Sequence, residues 1–121
     1  MIPNQRMISL GKRLILQYLL ERKYIILEKN FKSAHCIIDI IATNYDRDKI
    51  VFIKTKVRKD LEQKSINDKV EDYEKDKIKD CARIYMEKKN LINVKYTFDE
   101  IEIFICRNRY KIIYRDKILE I

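Results

Sequence analysis

The chain has 121 residues, 46% of them hydrophobic and 38% charged, and its 27 Lys and Arg against 19 Asp and Glu give a formal charge of +8. That composition excludes a disordered tail or a fibrous repeat, and the length suits one domain over residues 1–121 with a core of its own. No run of about 18 apolar residues and no basic-then-apolar leader occurs, so the expectation is a cytoplasmic protein that does not engage a membrane.

In chain order, Ser9 to Lys23 is predicted as a helix: Leu14, Ile15, Tyr18 and Leu19 repeat at helical spacing, and Arg13, Gln17 and Glu21 form a polar stripe. Tyr24 to Leu27 can form a short strand. Cys36 to Thr43, CIIDIIAT, is an apolar run of strand length interrupted by Asp39, a carboxylate that needs a partner or a purpose there. Asn44 to Lys49 supplies turn residues and Ile50 to Arg58 follows, so the two strands are expected to pair as a hairpin. Lys59 to Asn67 reads as a loop. Asp68 to Lys89 is a second amphipathic helix, with Val70, Tyr73, Cys81, Ile84 and Tyr85 on one face and Lys77 interrupting it. Phe98 to Cys106 and Tyr110 to Tyr114 are two closing strands joined by Arg107 to Arg109.

The segment IVFIKTKVR, Ile50 to Arg58, poses a question of its own. Strand alternation places Val51, Ile53, Thr55 and Val57 on one face and Ile50, Phe52, Lys54, Lys56 and Arg58 on the other. The second face turns from apolar to cationic at Lys54. A solvated charge cluster at a sheet edge would do this, and so would a strand running from a core into a charged site. Cys36, Cys81 and Cys106 lie far apart without a CxxC pair and His35 is the lone histidine, so reduced, mostly buried thiols are expected and neither a zinc site nor a disulfide framework. Lys12, Arg13, Lys56, Arg58 and Lys59 could form a phosphate-binding face, with Tyr45 stacking on a base. His35 beside the Asp39 strand is more simply a surface or core residue than a base.

The order of elements and several short motifs resemble the YraN-like proteins, a bacterial family of candidate endonucleases with the PD-(D/E)XK nuclease fold, similar to archaeal Holliday-junction resolvases. The resemblance covers Leu10 to Cys106. Gly11, Tyr18 and Leu19 match the family's first helix, which begins Gly-Glu, but the Glu position is Lys12. The family's Gly-Glu-Ile-Asp-Leu-Ile-Ala strand is similar to Cys36 through Ala42, keeping Asp39 and replacing the Glu by Ile37. Its Val-Phe-Val-Glu-Val-Lys-Thr-Arg strand is similar to Val51 through Arg58, keeping Lys56 and replacing the Glu by Lys54. Weaker matches follow at Glu74-Lys75, Ile78, Cys81-Ala82 and Tyr85-Met86, and at Thr97 through Ile101.

The resemblance implies an α/β fold, a mixed central sheet of four or five strands flanked by helices. It also implies a site in which two carboxylates hold Mg²⁺ and a lysine two residues after the second stabilises the reacting phosphate. Here Asp39 and Lys56 remain, while Lys12, Ile37 and Lys54 occupy acidic positions. The expectation is therefore a nucleic-acid-binding protein, acting on DNA in processing or recombination, whose cleavage site is degenerate and which needs no cofactor. Its binding residues would be Lys12, Arg13, Lys54, Lys56, Arg58 and Lys59, with Lys54 able to pair with Asp39 or, as a charge swap between strand and second helix, with Glu74. Two alternatives stay open. One is a Mg²⁺-dependent endonuclease using Asp39, Lys56 and Glu74 as a relocated carboxylate, with Asp39 as the metal ligand. The other is a protein-interaction module without nucleic-acid binding.

Overall fold

Asn4 starts the first helix: its side chain accepts the Met7 N–H at 2.9 Å, the bond expected of an N-cap, so α1 runs Gln5–Glu21. This is four residues earlier than the hydrophobic periodicity alone suggests. The computed structural model describes residues 3–34, 36–59 and 72–119, the side chains of 72–74 excepted. Within them β1 (Ile25–Ser33), β2 (Cys36–Thr43), β3 (Lys49–Arg58), α2 (Asp72–Lys88), β4 (Lys95–Cys106) and β5 (Arg109–Arg115) follow. The loop expected over Lys59 to Asn67 lies, after Lys59, outside the described residues, and so do the expected start of the second helix at Asp68 and the lone histidine, His35.

The five strands form one mixed sheet in the order β1-β2-β3-β4-β5. β1, β2 and β3 pair antiparallel, β3 and β4 pair parallel, and β5 returns antiparallel to β4. A parallel neighbour requires a crossover, and α2 lies in it. The architecture is the expected α/β class, a mixed sheet between two helices, consistent with a restriction-endonuclease-like core.

Each helix covers one face. Against α1, Ile15 and Leu19 pack with Ile40, Ala42, Val51, Ile53, Ile101 and Ile103. Gly11 brings this helix close, since a Cβ there would lie 2.7 Å from a Val57 methyl. Against α2, Cys81, Ala82, Tyr85 and Met86 pack with Phe31, Ile38, Ile41, Phe52 and Phe98. Tyr85 meets Phe31 and Phe52 edge-on, with centroids 5.2 and 6.0 Å apart.

Two expectations need correction here. β1 is a full nine-residue strand rather than the short piece Tyr24 to Leu27. Its second half, Glu28 to Ser33, is mostly polar because β1 is a sheet edge, and an edge strand needs no continuous apolar pattern. The cysteines are not all reduced: Cys36 at the start of β2 and Cys81 on the buried face of α2 form a disulfide, with Cα atoms 6.3 Å apart. Their separation of 45 residues carries no pairing signal; the helix docking supplies it. Cys106 is free and half-buried. Among the described residues no helix is long and apolar enough to cross a membrane.

Candidate functional site

Asp39 sits where the sheet changes character. Ile38 belongs to the core under α2, whereas Ile40 belongs to the core under α1, although residues two apart on a regular strand share a face. The slip occurs at Asp39. On β1 the facing register runs Phe31 to Ile38 and Lys29 to Ile40, and Asn30 between them takes a left-handed backbone with φ 54°. Both strands therefore kink at the same level.

The β2–β3 ladder ends one step later, at the Ile40–Ile53 pair. Beyond it the Asp39 side chain replaces backbone pairing: Oδ2 accepts the Thr55 N–H at 2.8 Å and the Thr55 hydroxyl at 3.0 Å. The strands part at this point, and Asp39 lines a cavity on each side of the sheet. On the α2 side is a cleft of about 400 Å³ whose walls include Ile37, Asp39, Lys54, Lys77 and Ile78. On the α1 side is a cavity of about 50 Å³ lined by Lys12, Leu16, Lys29, Asn30, Asp39 and Thr55. The fold thus gathers Lys12, Ile37, Asp39 and Lys54 around one strand separation. No ion pair joins Lys54 to Asp39, and among the described residues no carboxylate lies within pairing distance of Lys54. The expected pairing is corrected: Thr55, one residue further along β3, satisfies the carboxylate instead.

Lys56 and Arg58 point elsewhere. Lys56 Nζ lies 3.1 Å from Glu100 Oε1, and Arg58 Nε donates to Glu102 Oε2 at 2.8 Å. Arg115 on β5 bridges the two acids, with Nη1 at 3.2 Å from Glu100 and 3.0 Å from Glu102. The Glu102 side chain is 2% exposed, so this ladder of three cations and two carboxylates replaces hydration that the acids have lost. Arg13 and Lys59 are exposed, and Tyr45 is exposed in the β2–β3 turn, at the end of the hairpin away from Arg58. Glu74 has its backbone in α2, with its side chain outside the described residues, and the expected Lys54–Glu74 pair lies outside them with it.

Sequence reasoning missed Thr55, Lys29, Glu100, Glu102 and Arg115. For the two glutamates a signal existed: Glu100-Ile101-Glu102 alternates as Lys54-Thr55-Lys56 does, with the opposite sign. The parallel register sets Lys54 beside Glu100 and Lys56 beside Glu102.

Known proteins of similar sequence extend over nearly the whole chain. It is 33% identical over 97 residues to a UPF0102 protein of Caldanaerobacter subterraneus subsp. tengcongensis, covering 80% of this chain and 78% of that one. It is 32% identical over 106 residues to a UPF0102 protein of Clostridioides difficile, covering 88% and 91%. A UPF0102 protein of Clostridium botulinum is 36% identical over 103 residues, covering 84% and 82%. The model of this family matches residues 11–115, the span that contains the kinked strands, Asp39, Lys54 and the charge ladder, and the chain belongs to the uncharacterised protein family UPF0102, the YraN family.

Proposed function

We propose that the chain is a nucleic-acid-binding protein of the endonuclease-like fold with a degenerate cleavage site, acting on DNA in processing or recombination. One observation carries this reading. Where β2 and β3 part, Asp39 is shared by two cavities whose walls hold four lysines, Lys12, Lys29, Lys54 and Lys77, against two acids, Asp39 and Asp99. Such a site attracts phosphates, and a chain of formal charge +8 adds long-range steering toward a polyanion. A divalent cation suits the donor set poorly. Mg²⁺ needs oxygen ligands, and of the two carboxylates here Asp39 already accepts two bonds from Thr55 beside ammonium groups that repel a metal, while Asp99 already accepts from Tyr114 and from the Lys117 N–H. Lys56 is held on Glu100, away from Asp39.

The test is an anisotropy titration with duplex, branched and single-stranded DNA at low salt, run beside a cleavage assay in Mg²⁺ and Mn²⁺. Binding that weakens steeply as salt rises, without cleavage, is the expected result. Absence of binding to every probe would remove the reading in favour of an interaction module. Cleavage lost on Asp39→Ala or Glu74→Ala would replace it by a metal-dependent endonuclease.

A further inference from the structure

We propose that the cleft between β2, β3 and α2 seats one unpaired nucleotide, with its base against an aliphatic wall and its phosphate at Lys54; this rests on the nucleic-acid-binding reading above. A cleft of about 400 Å³ falls within the roughly 300–1,000 Å³ of small-ligand pockets. Phosphate contacts alone would need only an exposed cationic surface. This cleft instead sets an apolar lining, including Ile37, Ile78 and Ile118, beside a few charged groups, Lys54, Lys77, Asp39 and Asp99.

Ile37 is the telling residue. A large aliphatic side chain on a strand is 56% exposed and lines the cleft. In duplex DNA the base faces are stacked and covered, so a duplex offers the wall sugar, phosphate and groove edges but no base face. An unstacked base offers an apolar face that any of the four bases possesses.

The charged groups complete the fit. Lys54 is half-buried and has no carboxylate within pairing distance among the described residues, so an incoming phosphate supplies the counter-charge it lacks. Asp39 Oδ2 is occupied by Thr55, while Oδ1 accepts no hydrogen bond among the described residues and is left to accept from a base N–H group. The seat reads unpairedness rather than sequence.

The experiment compares a labelled mixed-sequence 12-mer, single-stranded and as a blunt duplex, against the unmodified chain and Ile37→Ser at one low salt concentration. Ile37 is exposed, so the variant should keep the parent melting temperature, which is checked first. We expect tighter binding of the single strand, and a loss of about tenfold for that probe alone in Ile37→Ser, the scale of one base contact. Lys54→Ala should weaken the single strand similarly without moving the melting temperature. Equal affinity for both probes, or duplex binding that is tighter, with no effect of Ile37→Ser, would overturn the nucleotide seat and leave nucleic-acid binding intact. No binding of either probe would overturn both.

Discussion

Tyr114 donates its hydroxyl proton to Asp99, a carboxylate only 1% exposed that also accepts the Lys117 N–H at 3.0 Å. Burial, and then the Asp99 bond and charge, push the Tyr114 ionisation well above the ordinary tyrosine range. Tyr85 moves the same way, mainly through burial and then through Glu28. The folded chain holds these protons where the unfolded chain has released them, so the stability they carry is fully present below about pH 10 and falls as pH rises above it. The slope is about 1.4 kcal/mol per pH unit for each group. Urea midpoints should therefore be level from about pH 7 to about pH 9 and fall beyond about pH 10. Tyr114→Phe should cost about 1–3 kcal/mol at neutral pH, because Asp99 loses a donor, and should fall less steeply in alkali. A variant that loses stability in alkali as fast as the parent would show that Tyr114 does not carry the effect.

The Cys36–Cys81 bond ties the crossover helix to the strand that carries Asp39. Closing a span of 45 residues removes denatured-state entropy worth about 4 kcal/mol in the chain-entropy estimate. Reduction, or Cys81→Ala, should lower the melting temperature by on the order of 10 °C, while loss of a helix dipole contact or a surface charge would move it far less. A melting temperature unaffected by reductant, with both thiols shown by alkylation to be released, would mean that α2 docks without the bond.

The elements themselves were largely readable, because β2 and β3 are apolar runs of strand length between turn residues and α1 has a clear helical period. What escaped is what depends on neighbours. An edge strand such as β1 needs no apolar alternation. The face slip at Asp39 is invisible in CIIDIIAT, where every flanking residue is apolar whichever side it faces. The bonds to Thr55 and the disulfide partner appear only when strands and helix are assembled. The resemblance marks Lys12, Ile37, Asp39 and Lys54, and the fold brings them to one strand separation.

At the scale of the whole molecule, a formal charge of +8 overstates the cations that can face a ligand. Lys56, Arg58 and Arg115 are committed to Glu100 and Glu102, two acids with little exposure of their own, while Lys54 has no such acid. Charge and stability should therefore separate by residue. Arg115 touches both glutamates, so Arg115→Ala leaves each with one cation fewer and should destabilise the fold. Because the arginine is partly exposed, about 2–3 kcal/mol is the scale to expect, a loss on the order of 10 °C in melting temperature. The same variant should leave the dependence of DNA affinity on salt almost unchanged. Lys54→Ala should do the reverse, keeping the melting temperature and lowering the slope of log affinity against log salt by about 0.7, one phosphate contact on a single strand. If Arg115→Ala instead lowers the salt slope by a full contact at unchanged melting temperature, the ladder is a nucleic-acid surface rather than a structural brace, and the division of the cations drawn here fails.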